Sequence, residues 1–271
     1  RDQVTVLSTK ADRMGHLNRL TRQLRSEARF GEAENVVNIV GNVRFPGGYP
    51  YVKGMRIKDL LNSSLGILPR TDMNYSLIRR VNGINRHVEV HAVSLSKIVA
   101  NESENLLLRP EDELIILSLD ENRAARISKL ASDMKRQETP EVPAKLVSIE
   151  GNILKPGVYP LHQGMRILDL INASINILPE TDMNYALMRR VQGMDRHVEV
   201  HSFSLAEILA DNEDSDNLSL YPEDQLIILS LDENRAARIL NLITDLQKQV
   251  THQKSAPVVS VGGWVKFPGQ Y

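Results

Sequence analysis

The stretch Thr71-Asp-Met-Asn-Tyr75 decides the fold of this chain, because it returns as Thr181-Asp-Met-Asn-Tyr185. Arg86-His-Val-Glu-Val-His91 returns in the same way as Arg196-His-Val-Glu-Val-His201, again 110 residues later. From Thr71 to His91, 16 of 21 positions are identical in the second copy. An internal repeat of this length predicts two tandem copies of one structural unit.

The identity continues towards the carboxyl end of each unit. Leu114 to Ile127 matches Leu226 to Ile239 at all 14 positions, by then with a displacement of 112 residues. The second copy has two extra residues in its polar segment 211–216, which accounts for the change. A segment that accepts an insertion is predicted to be a surface loop.

The two ends of the chain belong to the same pattern. Asp2 to Ser8 aligns with Asp224 to Ser230 at the end of a unit, and Val259 to Tyr271 aligns with Val147 to Tyr159 at the start of one. We therefore expect the end of one unit, two whole units and the start of a fourth, within a longer tandem array.

Each unit is predicted to contain both strands and helices. The elements expected in the first unit are a strand over 36–43, a hairpin turn at Pro46-Gly47, a helix with Ile57, Leu60, Leu61 and Leu65 on one face, strands over 75–81 and 87–93, a short helix from Ser94, and a central strand over 114–117. The corresponding helix face in the second unit is Ile167, Leu170, Ile171 and Ile175.

Amphipathic helices are predicted between the units. Segment 120–138 begins with Asp120 as an expected cap and carries apolar residues at helical spacing, and the segments around 9–29 and 232–250 have the same character. The apolar stripes are Met14, Leu17, Leu20 and Leu24 in the first connector and Ile239, Leu242, Ile243 and Leu246 in the last. These stripes need burial, either on a neighbouring unit or against a helix of another chain.

Composition excludes several classes of function. The chain of 271 residues has 33 Lys and Arg against 34 Asp and Glu, so it lacks the uniform basic field expected for nucleic acid or anionic lipid. It contains no cysteine, which removes disulfides, thiolate nucleophiles and Cys-ligated metal sites. No apolar run approaches the ~20 residues of a membrane helix, and any targeting signal is expected outside this chain.

The order of elements resembles the soluble-ligand-binding β-grasp (SLBB) domain. The motifs that carry the resemblance are Gly41-x-Val-x-x-Pro-Gly47-x-Tyr49 and Leu108-Arg-Pro-Glu-Asp112-Glu-Leu-Ile-Ile116, with Gly151-x-Ile-x-x-Pro-Gly157-x-Tyr159 and Leu220-Tyr-Pro-Glu-Asp224-Gln-Leu-Ile-Ile228 in the second unit. The resemblance implies an α+β class with tandem β-grasp domains joined by amphipathic α-helical connectors. The expected parts are 1–8, the final strand of a preceding repeat; connectors 9–35, 119–144 and 231–256; whole repeats 36–118 and 145–230; and 257–271, the start of a further repeat.

Tandem SLBB domains are typical of the outer-membrane polysaccharide export proteins of Gram-negative bacteria. The resemblance implies a periplasmic segment of a capsular or exopolysaccharide export protein that assembles and shapes the export conduit, without enzyme activity or cofactor. Its implied partners are other copies through the repeats, polysaccharide, and inner-membrane export components. Two departures are the missing Gly-Gly pair at Leu65-Gly-Ile-Leu-Pro69 and the absence here of the family's export-signature domain. The alternatives are a carbohydrate or small-ligand binding module and a cytosolic SLBB scaffold.

A metal-ligand pattern occurs once in each unit. The candidate ligands, which alternate along a predicted strand, are His87, Glu89 and His91, and His197, Glu199 and His201. Two imidazoles and a carboxylate are a ligand set of zinc or non-haem iron. The same alternation is typical of a half-exposed strand with polar residues towards water and valines towards the core, which the sequence favours over a metal or a pH-sensitive contact.

Ligand contacts are predicted for a second group of side chains. Its members are Arg79, Arg80, Arg86 and Tyr75, with Arg189, Arg190, Arg196 and Tyr185 in the second copy. Arginine forks fit the carboxylates and hydroxyls of an acidic polysaccharide, and tyrosines offer stacking faces, although surface charge and core packing explain both residue types more simply. Unpaired edges at 4–8 and 258–265 further predict pairing of the two ends between chains, giving a dimer or a head-to-tail filament.

Overall fold

The computed structural model describes residues 13–29, 31–100, 104–120, 123–139, 141–193, 195–210, 216–250 and 257–270. It contains two compact units, Arg1–Arg123 and Ala124–Tyr271. The predicted strand over 4–8 lies outside the described residues, as does most of the inserted segment, 211–215.

The first unit is a helix followed by a five-stranded mixed sheet. Its elements are α1 (Arg13–Glu27), β1 (Val36–Gly41), β2 (Gly47–Pro50), α2 (Ile57–Ser63), β3 (Ser76–Asn82), β4 (His87–Val93), α3 (Leu95–Val99) and β5 (Glu113–Ile116). The strand order is β2-β1-β5-β3-β4, with β1 and β5 parallel and all other pairs antiparallel. The apolar segment predicted to form the central strand therefore does so.

The second unit repeats this topology. Its elements are α4 (Arg123–Lys135), which begins on the last residue of the first unit, then β6 (Leu146–Gly151), β7 (Gly157–Pro160), α5 (Ile167–Ala173), β8 (Thr181–Gln192), β9 (His197–Phe203), α6 (Leu205–Leu209), β10 (Gln225–Ser230), α7 (Arg235–Arg238), α8 (Leu240–Lys248), β11 (Ser260–Val261) and β12 (Gly269–Gln270). The order β7-β6-β10-β8-β9 matches that of the first sheet, and β11 and β12 form a separate hairpin. The predicted α+β class with two repeated units is confirmed.

One face of the first sheet carries the main core. Ile39, Ile78 and Leu114 on the strands are buried together with Ile57 and Leu60 of α2. The side chains of α3 join the same cluster. We call this the inner face of the sheet, and the opposite face the outer face.

Gly41 allows β1 and β5 to approach closely. Its φ is +101°, and a Cβ built at this position would lie 1.8 Å from the carbonyl oxygen of Ile116. Gly151 repeats this arrangement against Ile228, with 1.9 Å to the carbonyl oxygen. Only glycine fits here, because a side chain would occupy the space of the neighbouring strand's backbone.

One detail of the helix predictions is wrong. Leu65 and Ile175 do not belong to the helix faces, since α2 and α5 end before them and both residues have a positive φ. The carboxylate of Asp120 pairs with Arg70, and residues 121 and 122 lie outside the described part of the chain, so the Asp120 cap stays a prediction. In the second unit, it is Asn234 that caps α7, by accepting a hydrogen bond from the backbone of Ala237.

The last connector helix packs on the sheet of its own unit. Leu242, Ile243 and Leu246 of α8 are buried in one cluster with Leu187 of β8 and Val198 of β9. This cluster covers the outer face of the second sheet. Of the two alternatives for the apolar stripes, α8 therefore shows the first, packing on a unit. None of the described helices is long and apolar enough to cross a membrane.

Candidate functional site

The repeated Thr-Asp-Met-Asn-Tyr motif ties the sheet to the helix that follows it. Asp72 accepts hydrogen bonds from the backbone nitrogens of Asn74 at 2.9 Å and Tyr75 at 3.0 Å through one carboxylate oxygen. Its other oxygen lies 2.6 Å from Nη1 of Arg123, the first residue of α4. Arg123 is only 1% exposed and lies over the ring of Tyr75, 5.4 Å from its centre. Tyr75 is therefore a buried packing residue.

The second copy of the motif makes the same attachment. Asp182 accepts a hydrogen bond from the backbone of Asn184 and lies 2.6 Å from Nη2 of Arg235, the first residue of α7. Tyr185 is more exposed than its counterpart. Burial raises the pKa of Tyr185, although the nearby charge of Arg235 opposes the shift. Of the two predicted stacking residues, Tyr185 alone is open to a ligand.

Two of the predicted polymer-binding arginines are buried ion-pair partners. Arg80 contacts both carboxylate oxygens of Asp112, at 2.9 and 2.7 Å, and its Nη2 also donates to the carbonyl of Leu107 at 3.0 Å. Arg190 is held against Asp224 at 2.6 Å in the second unit, with its guanidinium 4.5 Å from the ring centre of Tyr221. Their forked donors are used inside each unit.

Three further arginines also face acidic residues of their own unit. Arg86 and Arg196 are exposed and lie 3.3 and 3.0 Å from Glu111 and Glu223, respectively. Arg189 lies on the outer face and pairs with Asp245 of α8 at 2.9 Å. The remaining member, Arg79, is half-buried and makes no ion pair among the described residues. As predicted, Arg79 and Arg80 point to opposite faces, because consecutive strand residues alternate.

The His-x-Glu-x-His rows lie on the edge strands, β4 and β9. Cross-strand register pairs His91 with Ile78 and Glu89 with Arg80, so the polar row shares the inner face with core residues. Glu89 accepts a hydrogen bond from Asn82 at 2.7 Å and lies 3.9 Å from Nε2 of His91. The expected polar face towards water is thus only partly exposed.

The histidines are not grouped as metal ligands. Across the described residues, no three His, Cys, Asp or Glu side chains are arranged to hold a metal ion. Burial lowers the pKa of His91 below its usual value, and the positive charge of Arg80 acts in the same direction. His91 is therefore biased towards the neutral imidazole.

A cavity of about 710 Å³ lies beside the edge strand of the second unit. Its walls are apolar residues of β8, β9 and α8, and its polar lining includes Tyr185, Ser202 and Gln249. The Gln249 side chain accepts a hydrogen bond from the backbone nitrogen of Val198 at 2.9 Å, which occupies one edge position of β9. Pockets of this size and polarity suit small, mainly apolar ligands.

A second cavity, of about 450 Å³, lies between α1 and β2 of the first unit. Arg13, His16 and Arg19 supply its polar side, and Leu20 and Val52 are among its apolar residues. Sequence reasoning predicted neither cavity. A cavity depends on how a helix rests on a sheet, and the repeat pattern carries no signal of that distance.

Comparison with known families finds a match to part of each repeated unit. The model of the SLBB domain family matches residues 36–85 and 146–174, that is, the first part of each sheet. No curated protein matches the chain. These two matches, together with the two sheets of identical topology, support tandem SLBB domains. The family is one of ligand-binding rather than catalytic domains.

Proposed function

We propose that the chain is a periplasmic segment of a capsular or exopolysaccharide export protein, in which it assembles and shapes the export conduit. SLBB domains are found in polysaccharide export proteins, and the tandem arrangement supports this role. Other copies, polysaccharide and inner-membrane export components are its proposed partners.

The observation that carries the proposal is the ion pair that attaches α4 and α7 to the sheet before each helix. Asp72 holds Arg123 and Asp182 holds Arg235, each at 2.6 Å. A buried ion pair at the first turn fixes the direction in which the chain leaves the sheet, because bending the helix away would leave both charges unpaired.

The proposal is tested in the native bacterium with the full-length protein. We expect deletion of the gene to remove the polysaccharide from the cell surface, and Asp182→Asn to reduce it strongly while the protein remains in the envelope fraction. Arg238→Gln is the matched control, because the Arg238 side chain is exposed and its ion pair with Glu233 contributes little. Normal surface polysaccharide in the deletion strain would refute the export role.

A second function is favoured by the cavity of about 710 Å³ in the second unit. In this alternative, the SLBB unit binds a small ligand and has no part in a channel. Filling the cavity with Ser202→Trp should abolish binding of the dye 1-anilinonaphthalene-8-sulfonate, while Ser96→Trp in the first unit should leave it unchanged. Equal binding by both variants would count against this site.

A further inference from the structure

The apolar stripe of α1 is only partly covered within its own unit. Leu17 is 3% exposed and belongs to the core cluster with Val37 and Tyr49, and Met14 packs against the same cluster. This part of the stripe rests on the first hairpin, β1 and β2. Leu20 and Leu24 belong to the same stripe, but Leu20 is 42% exposed and Leu24 is only half-buried. We call this incompletely covered part of the stripe the outward face of α1.

The corresponding residues of α8 show what covers such a face. Alignment on the final strand of a repeat matches Leu20 with Leu242 and Leu24 with Leu246. These two counterparts are only 5% and 7% exposed, because they pack on the outer face of the second sheet. The same positions on α1 thus carry the same apolar residues without the sheet that buries them in α8.

Arg13 gives a second, independent indication that a sheet belongs on the outward face of α1. The arginines that match it are Arg123 and Arg235, each paired with the aspartate of the Thr-Asp-Met-Asn-Tyr motif in the sheet before it. Arg13 instead donates to the carbonyl of Ser63 at 2.7 Å, and its buried Nε has no hydrogen-bond partner in the described part of the chain.

Chain spacing indicates where the missing sheet belongs. Ser118 and Ser230, which follow the central strands, each lie five residues before the paired arginine, and Ser8 lies five residues before Arg13. Asp2 to Ser8 also aligns with the last strand of a repeat. This spacing favours a partner joined directly to α1 over a sheet from another molecule.

We infer that the outward face of α1 binds the outer sheet face of an SLBB repeat that precedes it in the same chain. Arg13 pairs with the aspartate of that repeat's motif, and Leu20 and Leu24 pack on its strands. The helix α1 then contacts two sheets, the preceding one through Arg13, Leu20 and Leu24 and the following one through Leu17.

The test adds an SLBB repeat in front of α1. A chain in which a second copy of residues 36–118 is joined in front of Thr9 is compared with the 271-residue chain by hydrogen exchange and mass spectrometry. We expect the amides of α1 to exchange at least about tenfold more slowly in the extended chain. Asp72→Asn in the added copy alone should remove much of this protection, and it should have no further effect once Arg13→Gln is present.

Arg22→Gln is the matched control, because Arg22 is exposed on the same helix and has no ion pair among the described residues. Equal exchange of α1 in both chains would overturn the inference. So would protection that grows with protein concentration in the 271-residue chain, since a second molecule would then be the partner. Loss of protection by Arg22→Gln as well would show a general charge effect and would also overturn it.

Discussion

Replacing Arg80 by Met should destabilise the first unit strongly, because it leaves a buried carboxylate without its partner. Arg80 is 8% exposed and Asp112 is 1% exposed. Two short contacts, at 2.9 and 2.7 Å, join the guanidinium to that carboxylate. Removing one member of such a pair costs about 3–5 kcal/mol, much more than the net value of the pair itself.

The double variant separates the charge from the packing. Arg80→Met with Asp112→Asn removes both charges, while the amide oxygen still accepts the hydrogen bond that Asp112 takes from the backbone of Arg109 at 2.7 Å. We therefore expect the double variant to lie within about 2 kcal/mol of the natural chain. The second substitution should restore stability that the first removed.

Native-state hydrogen exchange at β5 is the appropriate assay, because a chain with two units has no single free energy of unfolding. A loss of 3–5 kcal/mol corresponds to exchange of the β5 amides that is faster by roughly two to four orders of magnitude. The matched control is Arg86→Met, whose ion pair with Glu111 is exposed, with an expected loss below about 1 kcal/mol. Equal effects of the two single variants, or a double variant less stable than Arg80→Met, would refute the reasoning.

Three further perturbations have expected outcomes. Gly41→Ala should unfold the first sheet in limited proteolysis, because the new Cβ would meet the carbonyl oxygen of Ile116 at 1.8 Å, whereas Gly54→Ala, with open space around it, should cost far less. Burial lowers the pKa of His91 below 6.5, so the unfolded chain takes up the proton first and the first unit loses stability as the pH falls below that value; the protection factors of the β4 amides, corrected for the slower intrinsic exchange at lower pH, should fall from pH 7 to 5.5, and His91→Gln should flatten this fall. Burial alone would raise the pKa of Asp245, but hydrogen bonds from the neighbouring arginine and lysine lower it below 3.8, so its contribution is present above that pH and lost as the pH falls through the folded-state pKa; Asp245→Asn should weaken protection of α8 at pH 5 and much less at pH 3.

The repeat and its periodicities predicted the fold well. Leu114 to Leu117 is apolar on both sides, and the strand that contains it lies at the centre of its sheet with neighbours on both edges. The Pro46-Gly47 turn leads into β2 as expected. Such local signals succeed because side-chain alternation and turn chemistry act within a few residues.

Interactions between residues that lie far apart along the chain could not be predicted from the sequence. Arg80 looks like a surface cation, and only the fold brings it to Asp112, 32 positions away. No pairing or ligand-binding role is predicted for Arg123 from the sequence, although it lies in the stretch that is identical in both units. That identity was the available signal: a charged residue repeated without change in a connector indicates a fixed partner in the sheet before it.

The parallel pair of β1 and β5 has a mechanical consequence. The chain enters the first sheet on β1 and leaves it on β5, and β6 and β10 have these places in the second sheet; in each pair, the two strands lie side by side and run in the same direction. Tension along the chain therefore pulls them in opposite directions along their length, so their hydrogen bonds carry the load together in shear. A hairpin pulled at its open end would instead lose its bonds one after another. Each of the two sheets therefore resists stretching along the chain.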